Sequence, residues 1–211
     1  MMGSPASEAG RFSDESEHRV VVELPFYLSE TEVSQQAWER CIKSKPAIFQ
    51  DDAKPVESVS WDDCQSFCKA TGLRLPSEAE WEYACRAGTK GPFAFGESIS
   101  VGEVNYDGNY PYARAAKGKY REASVACGSL PANAWGFREM HGNVQEWCQD
   151  CYSEASPSKP NSAVGAADCT HVVRGGGWYH SAATCRSAYR NRLEASFRSN
   201  FLGLRVARTA A

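Results

Sequence analysis

Residues 73–84 read Leu-Arg-Leu-Pro-Ser-Glu-Ala-Glu-Trp-Glu-Tyr-Ala and carry the strongest local signal in the chain. Ser77 and Glu80 have the spacing of a capping box, in which each side chain accepts a hydrogen bond from the backbone amide of the other residue. The box predicts a helix over Glu78–Arg86. Trp81 begins an apolar stripe at helical spacing on one face of this helix, and such a stripe must pack against a neighbouring element.

Two more helices are predicted before this one. Ser34 can cap a short helix that runs toward Cys41. Ser60 can cap a second helix, Trp61–Ala70, and Gly72 lies just past its end, where a residue with positive φ is favoured. The first part of the chain therefore holds three short helices.

Short apolar runs predict strands elsewhere in the chain. His18–Leu24 is β-branched and continuous, which predicts a first strand, and His171–Arg174 and Gly203–Val206 predict two more. After Gly88 no helical period lasts more than a turn, so long loops must be held by packing, metal or function. Neither a repeat nor a linker divides the chain. Residues 1–211 therefore predict one α+β domain with few regular elements.

The bulk composition is that of an ordinary soluble globule. The 211 residues carry a formal net charge of −3 and no basic cluster, so we expect no nucleic-acid partner. The longest apolar runs are too short to span a bilayer, and no signal peptide opens the sequence. We expect a monomer. If the protein is secreted or held at the cell surface, as we suspect, its targeting segment lies outside these residues.

Nine cysteines are a high count for this length, and an odd number leaves at least one free thiol in a monomer. Cys64 and Cys68 are separated by three residues, and Cys148 and Cys151 by two. A zinc site would have to bring these distant pairs together. Buried free thiols, or one or two disulfides in an oxidising compartment, are the alternatives.

Several segments in order along the chain carry a family resemblance. They are Met2–Pro5 with His18, Tyr27–Ser34, Pro55–Trp61, Leu73–Ala84, Gly136–Phe137, Gly142–Trp147, Arg174–Trp178 and Gly203–Ala207. Together they resemble the formylglycine-generating enzyme (sulfatase-modifying factor) family over nearly the whole sequence. The resemblance implies an α+β, C-type-lectin-like fold of that subtype, with few regular elements and long loops.

The catalytic centre of that family is incomplete here. The resemblance implies two cysteines, five residues apart, that follow the Arg-Gly-Gly-x-Trp motif and bind copper(I). Here Cys185 occupies the second position and His180 the first. One soft thiolate cannot replace two in a copper(I) centre, so we expect no copper and no formylglycine synthesis. A copper- or thiol-dependent oxidase built on Cys185 and His180 stays open as the alternative.

Residues 171–211 also resemble the variable region of proteins that retroelements diversify on a lectin-like scaffold. The fixed parts of that pattern match Arg174–Trp178, Ala182 and Cys185–Ala188. Mutable codons of that system do not give Glu, Lys, Gln, Trp or Met, and between Tyr179 and Leu202 the sequence has one such residue, Glu194. This resemblance predicts a ligand-binding protein and not an enzyme. A scaffold module without variation is a further alternative.

The predicted recognition surface covers residues 179–202. Tyr, His, Ser, Thr, Asn and Phe side chains on adjacent loops offer aromatic area and adaptable hydrogen bonding, as antibody paratopes do. We expect a protein or a surface glycan as ligand. The candidate ligand-binding residues are Tyr179, His180, Ser181, Ala183, Thr184, Tyr189, Asn191, Leu193, Ser196, Phe197, Ser199, Asn200 and Phe201.

The resemblance also implies one calcium site that would brace loops. Glu139 and Glu146 would supply carboxylates, and Gly142 and Val144 backbone carbonyls, all oxygen ligands that suit a hard cation. The family often has Asn where Glu139 stands, and the position of an acidic ligand in its second calcium site aligns with Lys117. We therefore expect calcium at the first site alone.

Overall fold

Three helices begin at the serine caps that the sequence predicts. The computed structural model describes residues 1–154 and 169–210. Helix α1 spans Gln35–Ile42, α2 spans Trp61–Thr71 and α3 spans Glu78–Arg86. The Ser77 hydroxyl accepts a hydrogen bond from Glu80 N at 3.2 Å, and the Glu80 carboxylate accepts one from Ser77 N at 2.8 Å. The predicted capping box and its helix are confirmed.

Two small sheets complete the regular structure of the described residues. The strands are β1 Phe26–Leu28, β2 Gln145–Cys151, β3 Thr170–Arg174, β4 Asn191–Glu194, β5 Leu202–Gly203 and β6 Ala207–Thr209. β1 pairs antiparallel with β6, and the other sheet has the order β4-β3-β2-β5 with β5 parallel to β2. Few elements and long connections confirm the predicted α+β class.

The predicted strand at His18–Leu24 is wrong. Only His18 makes a β-bridge, to Met2, and the first strand is the later β1. Val21 and Leu24 are 53% and 62% exposed, so this apolar run has neither a partner strand nor a buried face. The predicted strand Gly203–Val206 is also wrong except at Gly203, because β5 ends there, β6 begins only at Ala207, and residues 204–206 connect the two.

The N-terminal residues fold back on themselves. Met2 bridges His18, and Ser4 bridges Ser16, so the segment forms a loop against the body of the protein. It buries the side chain of Glu15 completely. No helix in the described ranges is long and apolar enough to cross a membrane.

Three hydrophobic clusters support the loops. The first lies between α1, α2 and the four-stranded sheet and contains Trp38 and Trp147. The second contains Phe93, Tyr106, Tyr112, Ala182 and Cys185, and therefore lies directly under the segment that follows Trp178. The third joins α3 to the sheet through Trp81. Large aromatic side chains thus replace regular elements as the supports of the loops.

Candidate ligand-binding surface

Close backbone contacts fix where the chain emerges after β3. Gly176 has φ +69°, and a Cβ on it would lie 2.6 Å from Cys185 Sγ, so only glycine fits this position. Trp178 is 8% exposed and ties both ends of the following segment together. Its backbone amide donates to Asn143 O at 2.8 Å, and its Nε1–H donates to Asn200 O at 3.0 Å.

The structure separates the candidate residues from the fixed ones by burial. All thirteen candidate residues are exposed or partly exposed. Ala182 and Cys185–Ala188, which alternate with them in sequence, have relative exposures of 0%. A short 3₁₀ helix spans Ala182–Cys185. Its first and last residues are buried in the second core cluster. The side chains between them remain accessible from solvent.

Part of the surface is a contiguous aromatic group. Tyr179 stacks on Phe201 with 5.8 Å between ring centroids, and His180 meets the edge of Phe201 at 5.0 Å. Two rings from other loops contact Trp178: Phe49 at 5.4 Å and Tyr120 at 6.1 Å. We call this group the aromatic face; it consists of Phe49, Tyr120, Trp178, Tyr179, His180 and Phe201.

Three members of the aromatic face lie outside the predicted candidate residues: Trp178, which stands in the fixed motif, and Phe49 and Tyr120. Phe49 and Tyr120 lie far from residues 179–202 in sequence, and neither stands in a motif or at a regular spacing. Only tertiary contact with Trp178 brings them to the surface. No sequence signal could have found them.

The remaining candidates do not all join the aromatic face. Tyr189 meets the edge of Phe12 at 5.6 Å, a contact with the N-terminal loop. Asn191 and Leu193 lie on β4. Leu193 and Phe201 pack partly against the first core cluster, and Ala183 against the second, so these three side chains are partly structural.

A separate loop presents Phe197, which is 40% exposed. Its neighbour Arg198 forms a salt bridge with Asp63 of α2 at 2.8 Å. Ser58 N donates to Ser199 O at 2.9 Å, and Trp61 N donates to Ala195 O at the same distance. These bonds hold the loop against the start of α2 without covering the phenyl ring.

Burial affects both members of the Cys185–His180 alternative. The Cys185 thiol is fully buried, and its Sγ donates to Ser181 O at 3.6 Å. Burial raises the pKa of this thiol, which opposes thiolate formation. Burial also lowers the pKa of His180 to about 4, so its ring is neutral near pH 7. Another imidazole, that of His141, contacts the backbone of Cys185, with its Nδ1 2.7 Å from Cys185 O.

Both predicted carboxylate ligands of calcium are engaged by protein groups. Arg205 binds both oxygens of Glu146, with Nε–Oε2 and Nη2–Oε1 distances of 2.7 and 2.9 Å. Glu139 accepts hydrogen bonds from the backbone amides of Gly128 and Leu130, each at 3.0 Å. Glu146 therefore has its positive partner within the protein.

Glu32 is a third carboxylate that sequence reasoning did not assign to this cluster. Its Oε1 accepts from Asn143 Nδ2 at 2.9 Å, while its buried Oε2 has no hydrogen-bond partner in the described residues. Burial, followed by the charges of Glu139 and Glu146, raises the pKa of Glu32 well above its ordinary value. The residues thus fit a hard cation in part: Glu32 has a free oxygen, and Glu146 does not.

The cysteines do not gather as the zinc alternative requires. Cys64 and Cys68 lie in the first core cluster, while Cys148 lies in the third. Cys151 forms a disulfide with Cys169. Two of the alternatives, buried free thiols and one disulfide, are confirmed.

A family model, the sulfatase-modifying factor enzyme 1-like domain, matches residues 1–210. The formylglycine-generating enzyme of Streptomyces coelicolor is 32% identical over 77% of this chain and 52% of that protein. The chain thus spans about half the length of that enzyme.

Two solved structures are similar over the whole chain. The structure of PvdO from Pseudomonas aeruginosa is 32% identical, with a TM-score of 0.82, over 99% of this chain and 90% of that one. Treponema denticola variable protein 1 is 20% identical, with a TM-score of 0.77, over 100% of this chain and 92% of that one. At that identity, the second likeness shows the fold alone.

Proposed function

The chain belongs to the family of sulfatase-modifying factor enzyme 1-like domains, and on this premise we propose that it is a ligand-binding protein whose residues 179–202 form the recognition surface. The fold is the predicted C-type-lectin-like one, shared with a variable protein. One observation carries the proposal: the candidate positions are solvent-accessible, while the fixed residues between them are buried. A scaffold of this kind tolerates changes in recognition residues without loss of its core.

The chemistry of the aromatic face supports binding. Tyr179 is 57% exposed yet stacked on Phe201, so its ring offers apolar area with little freedom left to lose. A ligand with apolar rings or sugar faces would match this exposed aromatic area, which suits a protein or a surface glycan.

A copper- or thiol-dependent oxidase is the second candidate, favoured by the enzyme relatives. Against it stand the imidazole at position 180 and the sealed Cys185 thiol. Copper(I) titration of the reduced protein, together with mass analysis of a cysteine peptide incubated with it, decides between the candidates. If copper binds tightly and requires Cys185, and if the aldehyde product appears 18 mass units below the cysteine peptide, the oxidase would replace the ligand-binding protein as the leading candidate.

Diversification by a retroelement is a separate part of the proposal, and the nucleotide neighbourhood tests it. We expect a near-copy of the 3′ coding end beside a reverse-transcriptase gene, with differences concentrated at adenines. Without such a copy, the protein would be a fixed binding module on the same scaffold. Display outside the cell belongs to this part of the proposal as well.

Binding itself is tested with a glycan array and a phage-displayed peptide library. Ligands selected by the wild-type chain should lose at least about tenfold in affinity when Tyr179→Ser and Phe201→Ser are combined, as expected for removal of aromatic hot spots. Tyr27→Ser is the matched control, since Tyr27 is 61% exposed and lies on β1. Equal losses in both variants, or no ligand that depends on the face, would contradict the proposal.

We also propose calcium as a structural cofactor near Glu32, Glu139 and the carbonyls of Gly142 and Val144. The free Oε2 of Glu32 supports it, since an unpaired buried carboxylate oxygen is costly. Glu146 stays with Arg205 in this proposal. The ion would neutralise excess buried negative charge and brace the loops; it would perform no chemistry.

A further inference from the structure

Strand geometry brings two cysteines and a histidine to one face at the end of the four-stranded sheet. Cys151 ends β2 and lies directly opposite His171 of β3 in the antiparallel register. Cys169 lies directly before β3, and its side chain contacts that of His171. The sulfur and nitrogen atoms of these three residues lie within 4.8 Å of one another, the one such group of three in the described ranges.

His171 is held as a rigid ring at this place. The Trp61 indole stacks on it with 3.8 Å between centroids and an interplanar angle of 11°. Trp61 is itself fixed, because its Nε1–H donates to Cys148 O at 3.0 Å. His171 is only 6% exposed, yet its Nδ1 has no hydrogen-bond partner in the described part of the chain. The ring thus stands beside the disulfide with Nε2 near Cys169 Sγ and with Nδ1 unpaired among the described residues.

The atomic separation matches metal ligation. His171 Nε2 lies 3.8 Å from Cys169 Sγ. Sulfur and nitrogen ligands on one zinc ion, at the usual bond lengths and a tetrahedral angle, lie about 3.6 Å apart. Two thiolates and an imidazole are soft to intermediate ligands, which zinc and copper(I) prefer over calcium or magnesium.

We infer that Cys151, Cys169 and His171, once their disulfide is reduced, form a three-ligand site for a thiophilic d¹⁰ cation, Zn(II) or Cu(I). A dithiol reductant transfers two electrons and two protons to the Cys151–Cys169 bond and itself becomes a disulfide. The cation then displaces the two thiol protons and binds both sulfurs and one nitrogen of His171. A disulfide oxidant then takes two electrons from the two thiolates and, with two protons, becomes a dithiol; the Cys151–Cys169 bond forms again and the ion is released. The inference does not rest on the proposed recognition function.

The test uses the full chain, reduced with a phosphine and then freed of reductant without oxygen. Zn(II) is titrated against a chromophoric chelator, and Cu(I) separately against bicinchoninate, so that the two competitions identify the preferred ion. Co(II) serves as a spectroscopic substitute for zinc, since thiolate-to-cobalt charge-transfer bands report sulfur ligation. We expect one equivalent of ion bound by the reduced protein and none at this site in the oxidised protein.

The variants assign the ligands. Cys151→Ser with Cys169→Ser should abolish binding, and His171→Ala should weaken it at least about tenfold, the loss found even when an outer partner of a metal ligand is removed. Cys41→Ser is the control, because Cys41 is an exposed free cysteine. If His171→Ala fails to fold by circular dichroism, His171→Asn replaces it. Unchanged affinity in either ligand variant, or binding of neither ion by the reduced wild type, would overturn the inference.

Discussion

The buried guanidinium of Arg186 binds both carboxylate oxygens of Glu15, with Nη1–Oε2 and Nη2–Oε1 distances of 2.7 and 2.8 Å. The two residues are 171 positions apart in sequence. Arg186 also bonds to Glu8 Oε1 at 2.6 Å and to Gly10 O at 2.8 Å. The N-terminal loop therefore packs beneath the segment after Trp178 and is held there by Arg186.

Removing one partner of this ion pair should destabilise the whole protein. Glu15→Gln removes the main negative partner of the buried Arg186 charge. Breaking a buried ion pair in this way lowers the free energy of unfolding by about 3 to 5 kcal/mol. Urea denaturation measures the change. Glu17→Gln, on an exposed neighbouring side chain, should stay within about 0.5 kcal/mol of wild type. Equal effects of the two substitutions would show that the N-terminal loop does not support the surface.

The division between buried and accessible positions predicts two kinds of mutational tolerance. Tyr179→Ser and Phe197→Ser should each change the free energy of unfolding by less than about 1 kcal/mol, because both side chains are exposed. Ala188→Leu forces three extra carbons into a fully buried position and should cost about 1 to 3 kcal/mol or more. Thermal melts of the three variants compare them directly. If Tyr179→Ser or Phe197→Ser lowered the melting temperature as much as Ala188→Leu, these side chains would be part of the core and the proposed recognition surface would be wrong.

Burial of Cys185 predicts chemical inertness. In the folded, reduced protein, iodoacetamide should modify the exposed Cys41 and leave Cys185 unmodified. Peptide mass mapping gives both extents in one sample, and denatured protein serves as the control in which both thiols react. Rapid modification of Cys185 in the native state would restore the thiol-oxidase alternative.

The neutral His180 predicts acid sensitivity. Burial lowers its pKa to about 4 in the fold, whereas a histidine in the unfolded chain titrates near 6.5. Between these values the unfolded chain binds more protons, so stability is present above pH 6.5 and is lost as the pH falls toward 4. His180→Asn should reduce that loss between pH 6.5 and 4. Urea midpoints across this range measure it, and an unchanged slope in His180→Asn would contradict the prediction.

Glu32 predicts the opposite trend at higher pH. Because burial raises its pKa in the fold, the folded state binds more protons than the unfolded chain above pH 4.5, and stability falls as the pH rises through the raised pKa. Glu32→Gln keeps the side chain neutral and should remove this decline. Glu30→Gln, an exposed neighbour, is the control.

Calcium should counteract the loss of stability that ionisation of Glu32 causes at high pH. If the ion binds near Glu32, millimolar calcium should raise the melting temperature of the wild type at pH 8, and a chelator should reverse the rise. Glu32→Gln should lose most of this response. A melting temperature of the wild type that does not respond to calcium would remove calcium from the proposal while leaving the recognition surface untouched.

Much of the fold could be predicted because its signals are local. Ser34, Ser60 and Ser77 start the three helices, since a hydroxyl that caps free backbone amides acts within one turn. The candidate positions after Trp178 are all at least partly accessible, although the motif pattern left out the exposed Arg192, Glu194 and Arg198. The strand predicted over residues 18–24 does not form, because a strand needs a partner strand. Whether a partner is available cannot be read from the local sequence.

The sequence by itself determined the family, the helix starts and the positions open to solvent after Trp178. Tertiary structure decided which distant side chains meet there: Phe49 and Tyr120 on Trp178, Glu15 beneath Arg186, and Glu32 beside Glu139. The physical reason is range. Helix caps and the alternation of buried and accessible residues depend on neighbours in the chain. The pairing of buried charges and rings depends on how distant loops pack, which no local pattern encodes.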